Sequence, residues 1–181
     1  MNNTLQVTKR DGTLAPLDLD KIHKVLTWAT DGLDNISVSE VELRAQIQLM
    51  EGISTSDIHE TLIKSAADLI TEETPDYQYM AARLNIFHLR KKAFGQFEPP
   101  ALYKHVAKLV DNQRYDRHLM EDYTQAEFEE MDSFIDHNRD LTFAYAAVKQ
   151  LEGKYLIQNR VTGDIYESPQ FLYALIGACL F

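Results

Sequence analysis

The hydrophobic pattern of the chain begins as a short alternation and then turns helical. Residues 5–17 read as a β-hairpin, with strand-like segments on either side of Asp11-Gly12. That dipeptide suits a two-residue turn with positive φ at both positions. Pro16 ends the second strand or sets it on an edge. Asp18 or Asp20 then caps a helix whose apolar stripe is Leu19, Ile22, Val25, Leu26 and Ala29, stopped by Gly32.

Ser39-Glu40-Val41-Glu42 has the form of a capping box and opens a short helix through Ile47, broken near Gly52. Ser54, Thr55 or Ser56 caps a third helix with Ile58, Leu62, Ala66, Leu69 and Ile70 on one side. Thr74-Pro75 starts a fourth, because proline tolerates the first helical turn. Its inner stripe is Tyr79, Ala82, Ile86 and Leu89. Arg90-Lys91-Lys92 oppose the negative end of the helix dipole before Gly95. A small hairpin leaning on a four-helix bundle is the expected first domain, over residues 1–95.

Phe97-Glu98-Pro99-Pro100 reads as a joint between domains. Residues 96–181 form the second expected domain. Helices are predicted over 101–112, over the acidic stretch 124–137, and over 139–151. Lys154–Gln158 and Asp164–Glu167 flank Thr162-Gly163 as a second hairpin. The stretch from Phe171 to Phe181 is almost wholly apolar and is expected to start a core that a longer chain completes. The fold class is α+β, mainly helical.

The net charge of −10 argues against a general nucleic-acid binder, which needs a basic face. A local basic pocket survives that balance, because anion binding depends on where cations sit. The single cysteine, Cys179, excludes a disulfide framework or a multi-cysteine zinc site within one chain. It is expected to be a buried structural thiol. A polar N-terminus and the lack of a long apolar run point to a cytoplasmic protein with no membrane span. The carboxylates from Glu121 to Asp140 suggest a solvated acidic face, and no metal ligand set is expected.

The candidate chemistry is a clamp for a nucleoside triphosphate. Such a site needs cations converging from several elements, backbone donors near the phosphates and an apolar slot for a base. Lys9 and Arg10 lie on the hairpin, Lys21 in a first helical turn, and Lys91 near the end of the fourth helix. Thr55 and His59 open the third helix, and Val7, Ile22, Leu49 and Ile58 suit the slot. Spacing alone leaves each of these open to a plainer reading. The lysines and Arg10 also suit solvated surfaces, His59 a helix surface, and Lys91 the helix dipole.

Residues 5–95 resemble the ATP-cone, the adenine-nucleotide module at the N-terminus of many ribonucleotide reductases. The resemblance is carried by Val7-Thr8-Lys9-Arg10-Asp11-Gly12, Asp20-Lys21-Ile22, Thr55-Ser56-Asp57-Ile58-His59 and Ala81-Ala82-Arg83-Leu84. Pro75–Tyr79, Phe87–Lys91, Tyr145-Ala146, Leu151–Leu156 and Gly163–Phe171 extend it to the large subunit of the class I enzyme, over essentially the whole chain. It implies that ATP or dATP, with Mg2+, binds the cone as an allosteric effector. Lys9, Arg10, Lys21 and Lys91 would hold phosphates. Thr55 and His59 would bound the ribose and phosphates, and Asp18 would face the adenine amino group. Asp57 and His88 would lie on the signalling side, and Trp28 and Phe87 in the core. Partners would be a second large subunit and the radical-generating small subunit.

Two positions depart from that family. Ala15 stands where relatives carry an acidic residue, and Leu49 where some carry an aromatic. The family's radical chemistry also needs several separated cysteines, so no catalytic residue is expected here. The chain is therefore expected to bind a nucleotide without catalysis, while the parent enzyme reduces ribonucleotides. The competing expectations are a free-standing cone protein that senses deoxynucleotides, and a non-catalytic helical interaction domain.

Overall fold

Residues 5–180 are described by the computed structural model, and they fall into two units. The first runs to His88 and takes in Thr142–Val148; the second comprises Leu89–Leu141 and the chain from Lys149 on.

The first unit opens on strands β1 (Gln6–Thr8) and β2 (Leu14–Pro16), antiparallel with Val7 opposite Ala15. The turn is longer than the expected two residues. The Lys9 N–H donates to the Thr13 carbonyl at 2.8 Å, leaving Arg10, Asp11 and Gly12 as a three-residue loop. Only Gly12 takes a positive φ, +81°. The cause is Asp11, whose Oδ1 accepts from both the N–H and the hydroxyl of Thr13, at 2.9 and 2.6 Å. That local ring fixes Asp11 on the ordinary side of φ and leaves the left-handed position to glycine. The far edge of β1 is also paired. Gly52 N–H donates to Gln6 O and Thr8 N–H to Ile53 O, each at 2.9 Å.

Helix α1 (Leu19–Ala29) is capped by Asp18, which accepts from Lys21 N–H at 3.1 Å. Helix α2 (Val38–Gln46) is capped by Ser37 rather than from Ser39. Ser37 Oγ accepts from Glu40 N–H, so the true Ser-x-x-Glu spacing begins two residues earlier. Helix α3 (Thr55–Ala67) is capped by Ser54 through Asp57 N–H at 3.0 Å. It ends before Ile70, which is exposed.

Pro75 and Asp76 form a turn, and helix α4 (Tyr77–Phe94) begins after them. Its stripe is not one-sided: Met80, Ala81, Ala82, Leu84 and Asn85 are all buried, while Tyr79 is half-buried. A helix covered on every side loses its amphipathic period. Leu26, Val41, Ile58, Leu62 and Leu84 meet in this unit's core.

In the second unit, α5 (Leu102–Asp111) buries Leu102, His105, Val106 and Leu109. A short α6 (His118–Asp122), not anticipated, precedes α7 (Gln125–Phe134), which Thr124 and Glu127 close with a reciprocal capping box. The helix expected over 139–151 is divided into a 3-10 turn (His137–Thr142) and α8 (Tyr145–Gln150), of which Tyr145–Val148 belongs to the first unit, and a π turn (Leu151–Tyr155) follows. The break accompanies Asp140, which turns fully inward.

The second hairpin shrinks to one bridge, Gln158 with Ile165, because the π turn takes the residues of its first strand. Helix α9 (Pro169–Leu180) buries Phe171, Leu172 and Leu175, with Tyr173, Ile176 and Leu180 exposed. Cys179 is exposed, contrary to expectation, because the buried face of α9 does not reach its last turn. No helix among the described residues is long and apolar enough to cross a membrane.

His105 gives this unit a pH dependence. It lies 4 % exposed, and its ring nitrogen Nε2 is 2.7 Å from the Tyr166 carbonyl. Burial pushes its pKa from 6.5 down to about 4. The neutral ring therefore stabilises the fold above pH 6.5, and that contribution is lost as pH falls from 6.5 toward 4. Urea unfolding should show His105→Gln, which keeps a donor for Tyr166, losing stability less steeply on acidification. The slope should differ by up to about 1.4 kcal/mol per pH unit.

Candidate functional site

A cavity of about 710 Å³ opens in the first unit between the hairpin, α1 and α3. Val7, Ile22, Val25, Ile58 and Leu62 supply its apolar wall. They meet because residues spaced three or four apart on α1 and α3 share a helix face. The polar lining is Lys9, Asp18, Asp20, Lys21, Thr55 and His59. Ala15, Pro16, Leu17 and Leu19 complete it.

Two helix N-termini open on this space, at Leu19–Lys21 and at Thr55. Their caps satisfy one N–H each, and the remaining first-turn donors and the dipoles favour an anion. Lys9 and Lys21 add full positive charge at the same place. Lys21 Nζ lies 3.0 Å from Asp18 Oδ2, while Asp18 Oδ1 accepts from Lys21 N–H. These bonds to Lys21 hold the Asp18 carboxyl below its usual range. The cavity thus combines an apolar slot with a cationic, donor-rich end, which fits a planar apolar group joined to a polyanion.

Of the expected site residues, Val7, Lys9, Asp18, Lys21, Ile22, Thr55, Ile58 and His59 are brought together here. The others lie elsewhere. Arg10 is in the hairpin loop, outside the lining. Leu49 lines a second cavity of about 270 Å³ with Ala45, Gln46, His23 and Glu42. Leu19, Asp20 and Ile22 line both cavities. Asp57 sits in the first turn of α3, its N–H held by Ser54 and its carbonyl by the Thr61 hydroxyl. His88 is buried on α4, with Nε2 3.6 Å from Glu60 Oε1. Lys91 belongs to the second unit.

Sequence reading did not place Asp20, taken as a possible cap and as part of the Asp20-Lys21-Ile22 stretch, in the site, nor Leu17 and Leu62, the latter read only as part of the apolar stripe of the third helix. The i, i+3, i+4, i+7 run of Thr55, Ile58, His59 and Leu62 held the signal for the α3 wall. Behind His59 stands a row of rings. Its imidazole stacks on Phe87 at 5.2 Å and lies 5.8 Å from His88, and Phe87 lies 5.8 Å from Trp28. Among the described residues, no group of three or more His, Cys, Asp or Glu side chains is placed to hold a metal ion.

Residues 5–92 match the ATP cone domain family. The chain is 70% identical over all 181 residues to ribonucleoside-diphosphate reductase 1 subunit alpha of Escherichia coli, and covers 24% of that protein. It is 68% identical over the same length to the alpha subunit of Haemophilus influenzae, again 24% of it. The alpha subunit of Helicobacter pylori is 33% identical over 177 residues, which is 97% of this chain and 22% of that protein. The chain therefore spans about a quarter of the length of these relatives.

Proposed function

We propose that this chain, whose residues 5–92 form an ATP cone domain and whose full length matches the N-terminal region of class I ribonucleotide reductase large subunits, binds ATP and dATP as regulatory effectors. The observation that carries the reading is the 710 Å³ cavity, where Lys9, Lys21 and two helix N-termini converge beside an apolar slot. The triphosphate lies at the cationic end with its own Mg2+, which neutralises charge the two lysines leave over. The base enters the slot bounded by Val7, Ile22 and Ile58.

Thr55 and His59 face the sugar, where a 2′-hydroxyl distinguishes ATP from dATP. Arg10 reaches the phosphates only if the hairpin loop moves. His88 and Asp57 lie outside the cavity lining, so their part is to report its occupancy: His88 through the ring of His59, Asp57 through the first turn of α3. In the whole protein, ribonucleoside diphosphates are reduced by parts outside this chain. The cone then sets how the large subunit associates with its own copy and with the radical-generating small subunit.

Calorimetric titration of the 181-residue chain with ATP and with dATP should give saturable binding of both, at dissociation constants in the range of about 1–100 μM. No saturable heat with either nucleotide overturns the proposal.

A further inference from the structure

We infer that Arg83 is a positioning residue of this site: from α4 it holds the C-terminal end of α1, and so fixes where the other end of that helix presents Lys21 and its free N–H groups. The inference rests on the reading of the cavity as a nucleotide site and adds the residue that aligns its phosphate end.

Helix α1 meets the cavity with its first half. Leu19, Asp20, Lys21, Ile22 and Val25 line it, and Leu19 is half exposed. The fully enclosed residues of α1, Leu26 and Ala29, both lie in its second half. A lateral tie from His23 Nδ1 to Glu42 Oε1, 2.7 Å long, is solvent-exposed at His23, where such pairs contribute little. The direction of α1 is therefore set at its C-terminal end, and the N-terminal end follows.

That C-terminal end takes a donor from another helix. The last carbonyls of a helix have no intrahelical partner. Those of Leu26 and Thr27 accept from Thr30 N–H, and that of Trp28 from Asp31 N–H. The carbonyls of Ala29 and Asp31 accept from Arg83 Nη1, at 3.2 and 2.6 Å. Ala29 is fully buried, so water is no substitute for that donor. No basic residue stands in the last turn of α1, and the Arg83 guanidinium supplies the charge that opposes the helix dipole there.

Arg83 has a fixed base. Its neighbours in the stretch Ala81-Ala82-Arg83-Leu84 are all fully buried. One turn further on, Phe87 lies 5.8 Å from Trp28 of α1 and 5.2 Å from His59 of α3. Arg83 and Phe87 share a face of α4, which thereby holds both α1 and α3, the two helical walls of the cavity. Direct attraction does not account for an effect of Arg83 on the phosphates. The eleven residues of α1 span about 16 Å, twice the screening length of about 8 Å in physiological salt. Arg83 acts through the alignment of α1.

The test is calorimetric titration of the 181-residue chain with dATP, at a temperature where circular dichroism shows each variant folded. Arg83→Met, which keeps the stem and loses the donors, should bind dATP about tenfold more weakly, the cost of misaligning one charge-assisted contact. Arg83→Lys, which restores a donor and a charge, should recover affinity to within about threefold of the unaltered chain. In a Lys21→Ala background, Arg83→Met should cost no more than about threefold, because the contact it aligns is already gone. A residue that only stabilises the fold lowers the melting temperature and changes none of these affinities. Where Arg83→Met does not fold, Arg83→Gln, with a shorter and neutral donor, takes its place with an expected loss of about fivefold.

A folded methionine variant, or the glutamine variant in its place, that binds dATP within about twofold of the unaltered chain overturns the role of Arg83. So does an equal loss with and without Lys21, or a lysine variant as weak as the neutral one. Each of these leaves the nucleotide site standing. An unaltered chain that gives no saturable heat with dATP defeats the site itself.

Discussion

Alanine at both Lys9 and Lys21 should lower the affinity of the chain for dATP by about a thousandfold. Each ammonium that reaches a phosphate makes a charge-assisted contact worth about 1.5–3 kcal/mol. The two lysines come from separate elements, the end of β1 and the first turn of α1, so their losses should add. About 4 kcal/mol in total is three factors of ten. Lys21→Ala leaves the helix cap in place, because Asp18 Oδ1 bonds the backbone N–H of residue 21 and not its side chain.

The loss should therefore appear in titration while the thermal melt of the first unit stays within a few degrees. It should also shrink with added salt, since both lysines face solvent. A double variant that binds dATP within tenfold of its parent would remove the lysines from the phosphate grip, and with them the argument for the cavity.

Much of this site was legible because it is built from local rules. A capped helix start places Lys21 and Thr55 where an anion meets free N–H groups, and helical spacing brings Ile58 and His59 to one face. Long-range placement was not legible. Ile22 on α1 and Leu49 past the end of α2 are both apolar, yet only Ile22 reaches the larger cavity. Lys91 could not be assigned to a unit by spacing, since α4 runs on from His88 into the second unit without a break in its pattern. Asp20 was hidden by its resemblance to a cap: Asp18 and Asp20 compete for that role in sequence, and only the extended backbone at Asp18 decides between them.

The fold divides in the same way. Hairpin and caps depend on neighbours a few residues away, and most were read correctly or within two positions. Ser37 and Ser39 differ by one Ser-x-x-Glu frame, and the bond to Glu40 N–H chooses the first. The second half was harder, because its polar residues turn inward to distant partners. Arg90 reads as a dipole-opposing surface cation and Asp140 as part of a solvated acidic face. Each is instead buried on the other. Nothing in the local pattern distinguishes a charged residue with a buried partner fifty positions away from one in water.

That pair gives the second large effect. Asp140→Ala should destabilise the second unit by about 3–5 kcal/mol, enough to unfold it in a marginal domain. Asp140 is 0 % exposed and Arg90 2 %. Arg90 donates to Asp140 Oδ2 at 3.0 Å and to the His137 carbonyl, with its guanidinium 5.1 Å from the centre of the Phe97 ring. Gln170 donates to the other carboxylate oxygen at 3.2 Å. Removing the carboxylate leaves a guanidinium buried without a counter-charge, which is the larger part of the loss.

Replacing both partners by apolar residues of similar size, Arg90→Met with Asp140→Leu, should recover most of the stability, because no buried charge remains. The single Arg90→Met carries a sign that packing alone does not predict. Burial pushes the Asp140 carboxyl up, while Arg90 and Gln170 pull it down. Without Arg90 the burial effect is less opposed, and folding then favours the protonated acid. Such a group stabilises below its unfolded pKa, and the contribution is lost as pH rises through the folded one. Urea unfolding should therefore show Arg90→Met losing stability as pH rises, relative to the double variant, in which the histidines still titrate but the acid is gone. A single variant that tracks the double at every pH would show that the pair acts through shape and not through charge.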